Sequence, residues 1–424
     1  MVSPVNPPRG MRDFLPQDAR VRDRVKRVIE DTYRLHGFDS IETPAMEDHA
    51  ILHSGLGGDN EKLSFGVLRR GLGVDDVSSV KRVDELSDLA LRFDLTVPLA
   101  RYYASHHQDL PPVFRALHIG PVWRAERPQK GRFRQFVQCD IDILGESTAL
   151  AEREVLTATA DALERLGIHT FTFRVGDRRL LTSLLAAAQV PMDDQLTALI
   201  ILDKLDKIGS EGVLAELRER LGPHIDTDVF GPVLEWARAD HGRWDAEEIA
   251  SLMGADVSVA EELVGWAQAL GESIGPDRVV FDPTLVRGMG YYTGSIVECV
   301  HPGLGVSLGG GGRYDGMIGR FLGQDTPAFG FSLGFERLME VVTPPSSDTH
   351  KRVGLIYGPD VPPDRLLDIK RELVGGGASV VLAKSQKNAK ALYARLVSQG
   401  VSEVATVTTD VSDAEGLSWR ALDA

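Results

Sequence analysis

In this 424-residue chain, the residues best suited to chemistry lie between Pro121 and Gly145, in PVWRAERPQKGRFRQFVQCDIDILG. The stretch reads as two strands, roughly 122–126 and 133–144, joined by a charged loop. Side chains of a strand alternate with period two. Arg124 and Glu126 therefore share a face of the first strand, and Arg134, Phe136, Gln138, Asp140 and Asp142 share a face of the second. The opposite face carries Phe133, Val137, Cys139, Ile141 and Ile143 and suits burial. One surface of one hairpin thus gathers guanidinium, carboxylate, amide and aromatic groups beside the basic loop of Arg127, Lys130 and Arg132. From Arg124 to Arg134 there are five basic residues and one acid, Glu126, whereas the whole chain has a net charge of −15. A polyanionic ligand suits that spot. The overall charge argues against a protein that coats DNA, which needs clustered Lys and Arg.

Three more segments carry reactive residue types. Asp94 and Thr96 follow a strand-like run at 89–94, and Thr96 is placed to cap a helix with Pro98 in its first turn. Arg287 lies in a strand-like run between Val286 and Gly288, ahead of Gly290 and Tyr291-Tyr292. Glycine inside a strand marks a bulge or a close approach. Period-two counting puts Arg287 and Tyr292 on opposite faces, so both reach one pocket only through such a bulge. Arg337 falls in the first turn of a helix after Gly334, where unpaired backbone N–H groups favour anions. Gly309–Gly312 is the densest glycine run and reads as a tight turn. It matches neither a P-loop nor a dinucleotide-binding fingerprint.

The elements that must hold these residues follow from the chain's periodicity. A helix is expected over 18–36 and a short strand over 38–44, then strands at 89–94 and 113–119, a helix at 147–166 and a strand at 169–175. From 177 to 277 the texture becomes helical, and strands return at Val279. A Pro/Ser linker follows Val342, and beyond it strands and helices alternate as a small domain with a parallel sheet. After Val407 no further strand is expected. A chain of this length needs two or three cores. Cys139 and Cys299 cannot build a disulfide framework or a four-ligand zinc site; with no apolar leader they point to a reducing cytoplasm. No uncharged apolar run is long enough to span a bilayer.

Trp123-Arg124-Ala125-Glu126 and Arg132-Phe133-Arg134-Gln135-Phe136 resemble motif 2 of class II aminoacyl-tRNA synthetases. The run ERPQKGRFRQFVQCDIDILG is similar, more narrowly, to histidyl-tRNA synthetases. The first helix, strand and Pro44 resemble motif 1, which builds a dimer interface. PAFGFSLGFERLMEVV resembles motif 3, and LDKLDKI resembles the branch that includes the eukaryotic enzymes. In the histidine-specific motif Arg287, Tyr291 and Tyr292 match, while Met289 and Gly290 depart; an acidic residue is expected where Gly290 stands. The resemblance is strong over 9–342 and weak over 351–424.

The resemblance implies an α+β fold. Its class II antiparallel-sheet core, flanked by helices, covers 1–176 and 278–342, with an inserted helical domain at 177–277. A linker at 343–350 leads to a shortened C-terminal anticodon-binding-like α/β domain at 351–424. It implies a cytoplasmic homodimer with L-histidine, ATP and tRNA(His) as partners, Mg2+ arriving with the nucleotide and no dedicated metal site. By resemblance Arg124 and Arg287 are catalytic, and Arg124, Glu126, Arg132, Phe136 and Arg337 bind ATP. Asp94, Thr96, Gln138, Asp142, Tyr291 and Tyr292 bind histidine, while Arg127 and Gln129 touch the acceptor end of tRNA. Independently of it, Gln138 and Asp142 are four apart on one strand face, and a buried carboxylate penalises substrates without a matching N–H. Two other readings stay open: a histidine-binding regulatory paralogue of the ATP phosphoribosyltransferase type, and an enzyme that passes histidine to an acceptor other than tRNA.

Overall fold

The computed structural model of the chain describes residues 5–54, 63–129, 131–222, 225–237, 244–287, 291–343 and 351–422. The first long helix, Pro16–Leu35, has Asp18 in its first turn and Arg34 in its last, each complementing the helix dipole. Val25, Ile29, Thr32 and Tyr33 make its buried stripe. Two short strands follow, β1 (Asp39–Ser40) and β2 (Met46–Asp48), so the strand expected over 38–44 shrinks to two residues. β3 (Phe65–Leu68) and β4 (Ser87–Leu91) join β2 in a three-stranded antiparallel sheet, order β2-β4-β3.

β5 (Phe114–Trp123) and β6 (Gln135–Leu144) form the central hairpin, ten residues each. The sequence suggests two strands, 113–119 and 122–126, where the structure has one. Gly120 and Pro121 do not break it, because the ladder with β6 continues through both. β7 (Thr172–Asp177), β8 (Val279–Phe281), β9 (Ser295–Val300), β10 (Gly309–Arg313) and β11 (Ala328–Gly334) complete an eight-stranded sheet, order β1-β5-β6-β11-β10-β9-β7-β8. Its edge pairs β1/β5 and β7/β8 are parallel and the rest antiparallel.

One face of this sheet is apolar, with Cys139, Ile141, Ile143, Phe173 and Phe331 all buried. Phe173 and Phe331 meet edge to face at 5.9 Å. The helix Leu150–Arg165 presents Ala151, Val155, Ala158 and Ala162 as its buried stripe. Buried Glu152 on that helix would be costly alone; Arg313 (2.6 Å) and the Ser295 hydroxyl (2.7 Å) satisfy it. Between β7 and β8 the chain is helical, from Arg178–Ala187 to Val257–Ile274.

Contacts divide the chain into two units, Met1–Arg12 with Arg27–Thr343, and Asp13–Lys26 with Pro344–Ala424. The helical segment stays with the first. The second holds a sheet of order β13-β12-β14-β15, built from β12 (Arg352–Tyr357), β13 (Ser379–Lys384), β14 (Glu403–Val407) and β15 (Trp419–Ala421). The first three strands are parallel, as the βαβ pattern requires. β15 corrects the sequence reading: a three-residue strand does follow Val407, antiparallel to β14. It is too short and too exposed to carry a hydrophobic signature. Among the described residues no helix is long and apolar enough to cross a membrane.

Candidate active site

Residues directly opposed on neighbouring strands share a face of the sheet. The registers set His118, Asp140, Ser332, Gly310, Glu298 and Arg174 in one row across β5, β6, β11, β10, β9 and β7. The adjacent row on that face runs Ala116, Asp142, Gly330, Gly312 and Ile296. A cavity of about 560 Å³ is lined by Gln138, Asp140, Asp142, Gly310 and Gly330 from this face. Its glycines make room for side chains. A Cβ on Gly310 would lie 2.7 Å from the Arg287 guanidinium, and one on Gly312 3.0 Å from the Tyr292 ring. A Cβ on Gly330 would overlap the Asp142 carboxylate.

One group of cavity residues is acidic. Asp94, Asp140 and Asp142 are all buried. The Tyr314 hydroxyl donates to Asp142 Oδ1 at 2.6 Å. Burial pushes the Asp142 carboxyl up to about 7, against the pull of that bond and with help from Asp94. Burial and then Asp142 push Asp140 well up. Tyr291 and Tyr292 meet edge to face at 4.4 Å beside these acids.

A second group is cationic. Arg287 is ion-paired with Glu298 and donates to the Ser307 hydroxyl at 2.6 Å. Burial opposes ionisation of Glu298, yet Arg287, Ser307 and Arg174 together hold its carboxyl below the usual range. Arg337 donates to the Ser307 carbonyl at 2.9 Å. Burial, then Arg287, Arg132 and Arg124, push the Arg337 guanidinium down from its ordinary value, the mark of surplus positive charge. Arg124 donates to the Phe93 carbonyl at 2.9 Å and lies 5.1 Å from the Phe136 ring centroid. Such a lining suits a ligand that carries both an ammonium or imidazole group and phosphates.

The family model for histidyl-tRNA synthetase matches residues 10–338. The chain belongs to the histidyl-tRNA synthetase family. It is 53% identical over 419 residues to a histidine–tRNA ligase of Leifsonia xyli subsp. xyli (strain CTCB07), covering 97% of each chain. The solved histidyl-tRNA synthetase of Nostoc sp. PCC 7120 has the same fold, with a TM-score of 0.73 at 24% identity, covering 95% of this chain and 92% of that one. An ATP phosphoribosyltransferase regulatory subunit/histidyl-tRNA synthetase from Bacillus halodurans C superposes with a TM-score of 0.74 at 24% identity, over 92% of this chain and 96% of that one. The α+β class II fold expected from the sequence is therefore the fold observed.

Within this synthetase fold, the cavity brings together Asp94, Thr96, Gln138, Asp142, Tyr291 and Tyr292. It also takes in Arg124, Glu126, Arg132, Phe136, Arg287 and Arg337. Arg127 and Gln129 are exposed on the hairpin loop and do not line it. There the Gln129 and Arg132 N–H groups donate to each other's carbonyls at 3.1 and 2.9 Å.

Three local readings are corrected. Thr96 does not cap the helix Thr96–His106; the Asp94 carboxylate accepts from Val97 N–H at 3.2 Å instead. Arg287 is not in a strand, so period two does not apply, and both Arg287 and Tyr292 reach the cavity. The supposed bulge at Gly288 and Gly290 lies outside the described residues, as do the loop at 55–62, Lys130 and most of the linker. Gly309–Gly312 is not a turn but most of β10, paired on both sides.

Sequence reasoning gave no site role to Glu298, Ser307, Tyr314, Ser332 or Asp140, all of which line the cavity. Glu298 is the ion-pair partner of Arg287, 11 residues along the chain, and no local pattern marks that pairing. Tyr314 stood beside the glycine run, but its partner Asp142 is 172 residues away.

Proposed function

We propose that this chain is a histidine–tRNA ligase. A carboxylate oxygen of L-histidine attacks the α-phosphorus of ATP, the bond to the bridging oxygen of the β-phosphate breaks, and pyrophosphate leaves. Histidyl-adenylate then yields its acyl group to the terminal ribose hydroxyl of tRNA(His), releasing AMP. The observation that carries this reading is the double polarity of one cavity inside a histidyl-tRNA synthetase fold, lined both by three buried carboxylates and by Arg124, Arg287 and Arg337.

The roles follow from that polarity. Charge that develops on equatorial phosphate oxygens needs fixed guanidinium groups, which cost no reorganisation during the reaction. Arg287 fills that role, anchored by Glu298 and Ser307. Arg124 binds the α-phosphate, and Arg337 takes the terminal phosphate and covers the adenine. Phe136 stacks on the adenine's other side, Glu126 takes its amino group, and Arg132, 3.5 Å from Glu126, steadies that carboxylate. Mg2+ enters on the phosphates of the nucleotide. Asp94, Thr96 and Gln138 take the ammonium of histidine; Asp142, with Tyr291 and Tyr292 beside it, reads the imidazole. Arg127 and Gln129 meet the acceptor end of tRNA. The helical segment 177–277 is an insertion into the catalytic domain, 351–424 is an anticodon-binding-like domain, and the enzyme works as a cytoplasmic homodimer.

A regulatory paralogue needs no phosphate-binding arginines, and the convergence of Arg124, Arg287 and Arg337 supports the ligase instead. Histidine-dependent ATP–pyrophosphate exchange followed by charging of purified tRNA(His) tests the reading. Absence of exchange overturns it, and exchange without charging points to another acceptor.

A further inference from the structure

On the cavity face of the sheet, among the described residues, Asp140 is a carboxylate to which the reading above gives no task. It is buried and lines the cavity between Gln138 and Asp142. Its neighbour Gln138 is equally buried, and the two ends of that amide are treated differently. Nε2 donates to the Ser332 hydroxyl at 2.8 Å and faces both Asp140 oxygens at 3.3 and 3.4 Å. Gln138 Oε1 is buried with no hydrogen-bond partner. A buried acceptor left unpaired costs free energy unless a ligand supplies the donor.

Which way the amide faces depends on what its neighbours can accept or donate. Ser332 decides this only through Asp140: a hydroxyl can donate or accept, and the hydrogen bond that it gives to the Asp140 carboxylate leaves it accepting from the amide. An ionised carboxylate only accepts. It draws the NH2 group and repels the amide oxygen, so the oxygen is left for the substrate. An ammonium has donors and no acceptor, and needs that oxygen rather than the NH2 group. Burial, then Asp142, favours the neutral form of Asp140, while the Ser332 hydroxyl, Arg124 and the arriving positive charge of the substrate favour the ionised form.

We infer that Asp140 is a positioning residue for histidine selection: it fixes the Gln138 amide so that Oε1 is presented to the substrate ammonium. The inference rests on the assignment of Gln138 to the ammonium under the ligase reading. Asn at position 140 can donate as well as accept, so Asp140→Asn frees the amide to turn its NH2 toward the ammonium.

The test is equilibrium binding to the full chain of two ligands, L-histidine and imidazole propionate, which lacks the ammonium. In Asp140→Asn, histidine should bind about tenfold or more weaker, the scale of a mispaired buried polar group. Imidazole propionate should stay within about twofold, and ATP binding, equally unchanged, reports an intact fold. Ser332→Ala should weaken histidine by no more than about threefold, because the carboxylate still orients the amide. Combined with Gln138→Leu, the Asp140→Asn loss should be largely absent, since one acts through the other. Equal loss for both ligands, a larger loss in Ser332→Ala, or fully additive effects in the double variant each overturn the inference. Wild-type protein that binds both ligands alike overturns the ammonium assignment itself, and the inference with it.

Discussion

The Tyr314 hydroxyl and the Asp142 carboxylate are joined by a 2.6 Å hydrogen bond across the shared face of the sheet, over the gap that Gly330 leaves. The bond favours the ionised form of a carboxyl that burial pushes up to about 7. It also holds one oxygen, leaving the other for an imidazole N–H. In Tyr314→Phe the KM for histidine should rise about three- to tenfold, the net worth of one ordinary hydrogen bond. The KM for ATP should not move in the exchange assay. A parallel rise in both would mean that Tyr314 supports the whole sheet face instead.

The pH dependence of stability without ligand has a definite sign. Asp142 is raised from 3.8 to about 7, so between those values the native state holds a proton that the unfolded chain has released. Native protein that binds more protons loses stability as pH rises. Measured against Asp142→Asn, wild-type stability should therefore fall from pH 4 to 7, by about 1.4 kcal/mol per unit at most. Denaturant midpoints of the two proteins at several pH values give the comparison. Curves that run parallel would show that Asp142 titrates normally.

Arg287→Ala should lose about 3–4 kcal/mol of transition-state stabilisation, the scale of removing one preorganised donor to a developing anion. Histidine binding should change far less. Exchange within tenfold of wild type would remove Arg287 from the chemistry. Glu298→Gln keeps an acceptor beside the guanidinium, together with Ser307, but removes its ion-paired carboxylate, and should lower kcat by about tenfold with histidine KM little changed.

A chain ending at Thr343 keeps every cavity residue named above. It should run histidine-dependent exchange at an appreciable rate and charge tRNA poorly, chiefly through a higher KM for tRNA. Hydrogen exchange should show fraying of the helix Pro16–Leu35 toward its start, because Asp13–Lys26 belongs by its contacts to the unit removed. Lost pyrophosphate exchange would mean that the second unit supports the site. Unchanged charging would mean that it does not bind tRNA productively.

What the sequence made legible is what period two and motif spacing encode. The cavity face of β6, with Phe136, Gln138, Asp140 and Asp142, was readable because one strand carries it all. So was the apolar face of Cys139, Ile141 and Ile143. Partnerships between separate segments were not readable. Ser332 meets Gln138 only through the register of an eight-stranded sheet, and Arg287 reaches Glu298 from a segment that is not a strand, so no local pattern specifies either. The capping of the helix after Asp94 was misread because Asp94 and Thr96 are equally good capping residues and only the observed backbone path decides between them. The Gly309–Gly312 run was misread for a different reason. Glycine in a strand normally signals weakness, and what overrides it is tertiary contact.

The floor of the cavity at β10 is therefore bare main chain, and this has a consequence for sequence drift. A side chain on Gly310 or Gly312 enters the space of Arg287 or Tyr292, and one on Gly309 or Gly311 meets the carbonyl oxygen of Ser332 or Gly330. At Gly309, Gly311 and Gly312 a methyl group meets backbone carbonyl oxygens that cannot yield, and at Gly310 it displaces the Arg287 side chain, so a saturation library that selects for activity should return glycine almost alone at all four. Arg313, the next residue, ends that run with a side chain that is itself committed to Glu152. A lineage can change what surrounds this strand, but the strand itself has no neutral neighbours in sequence space.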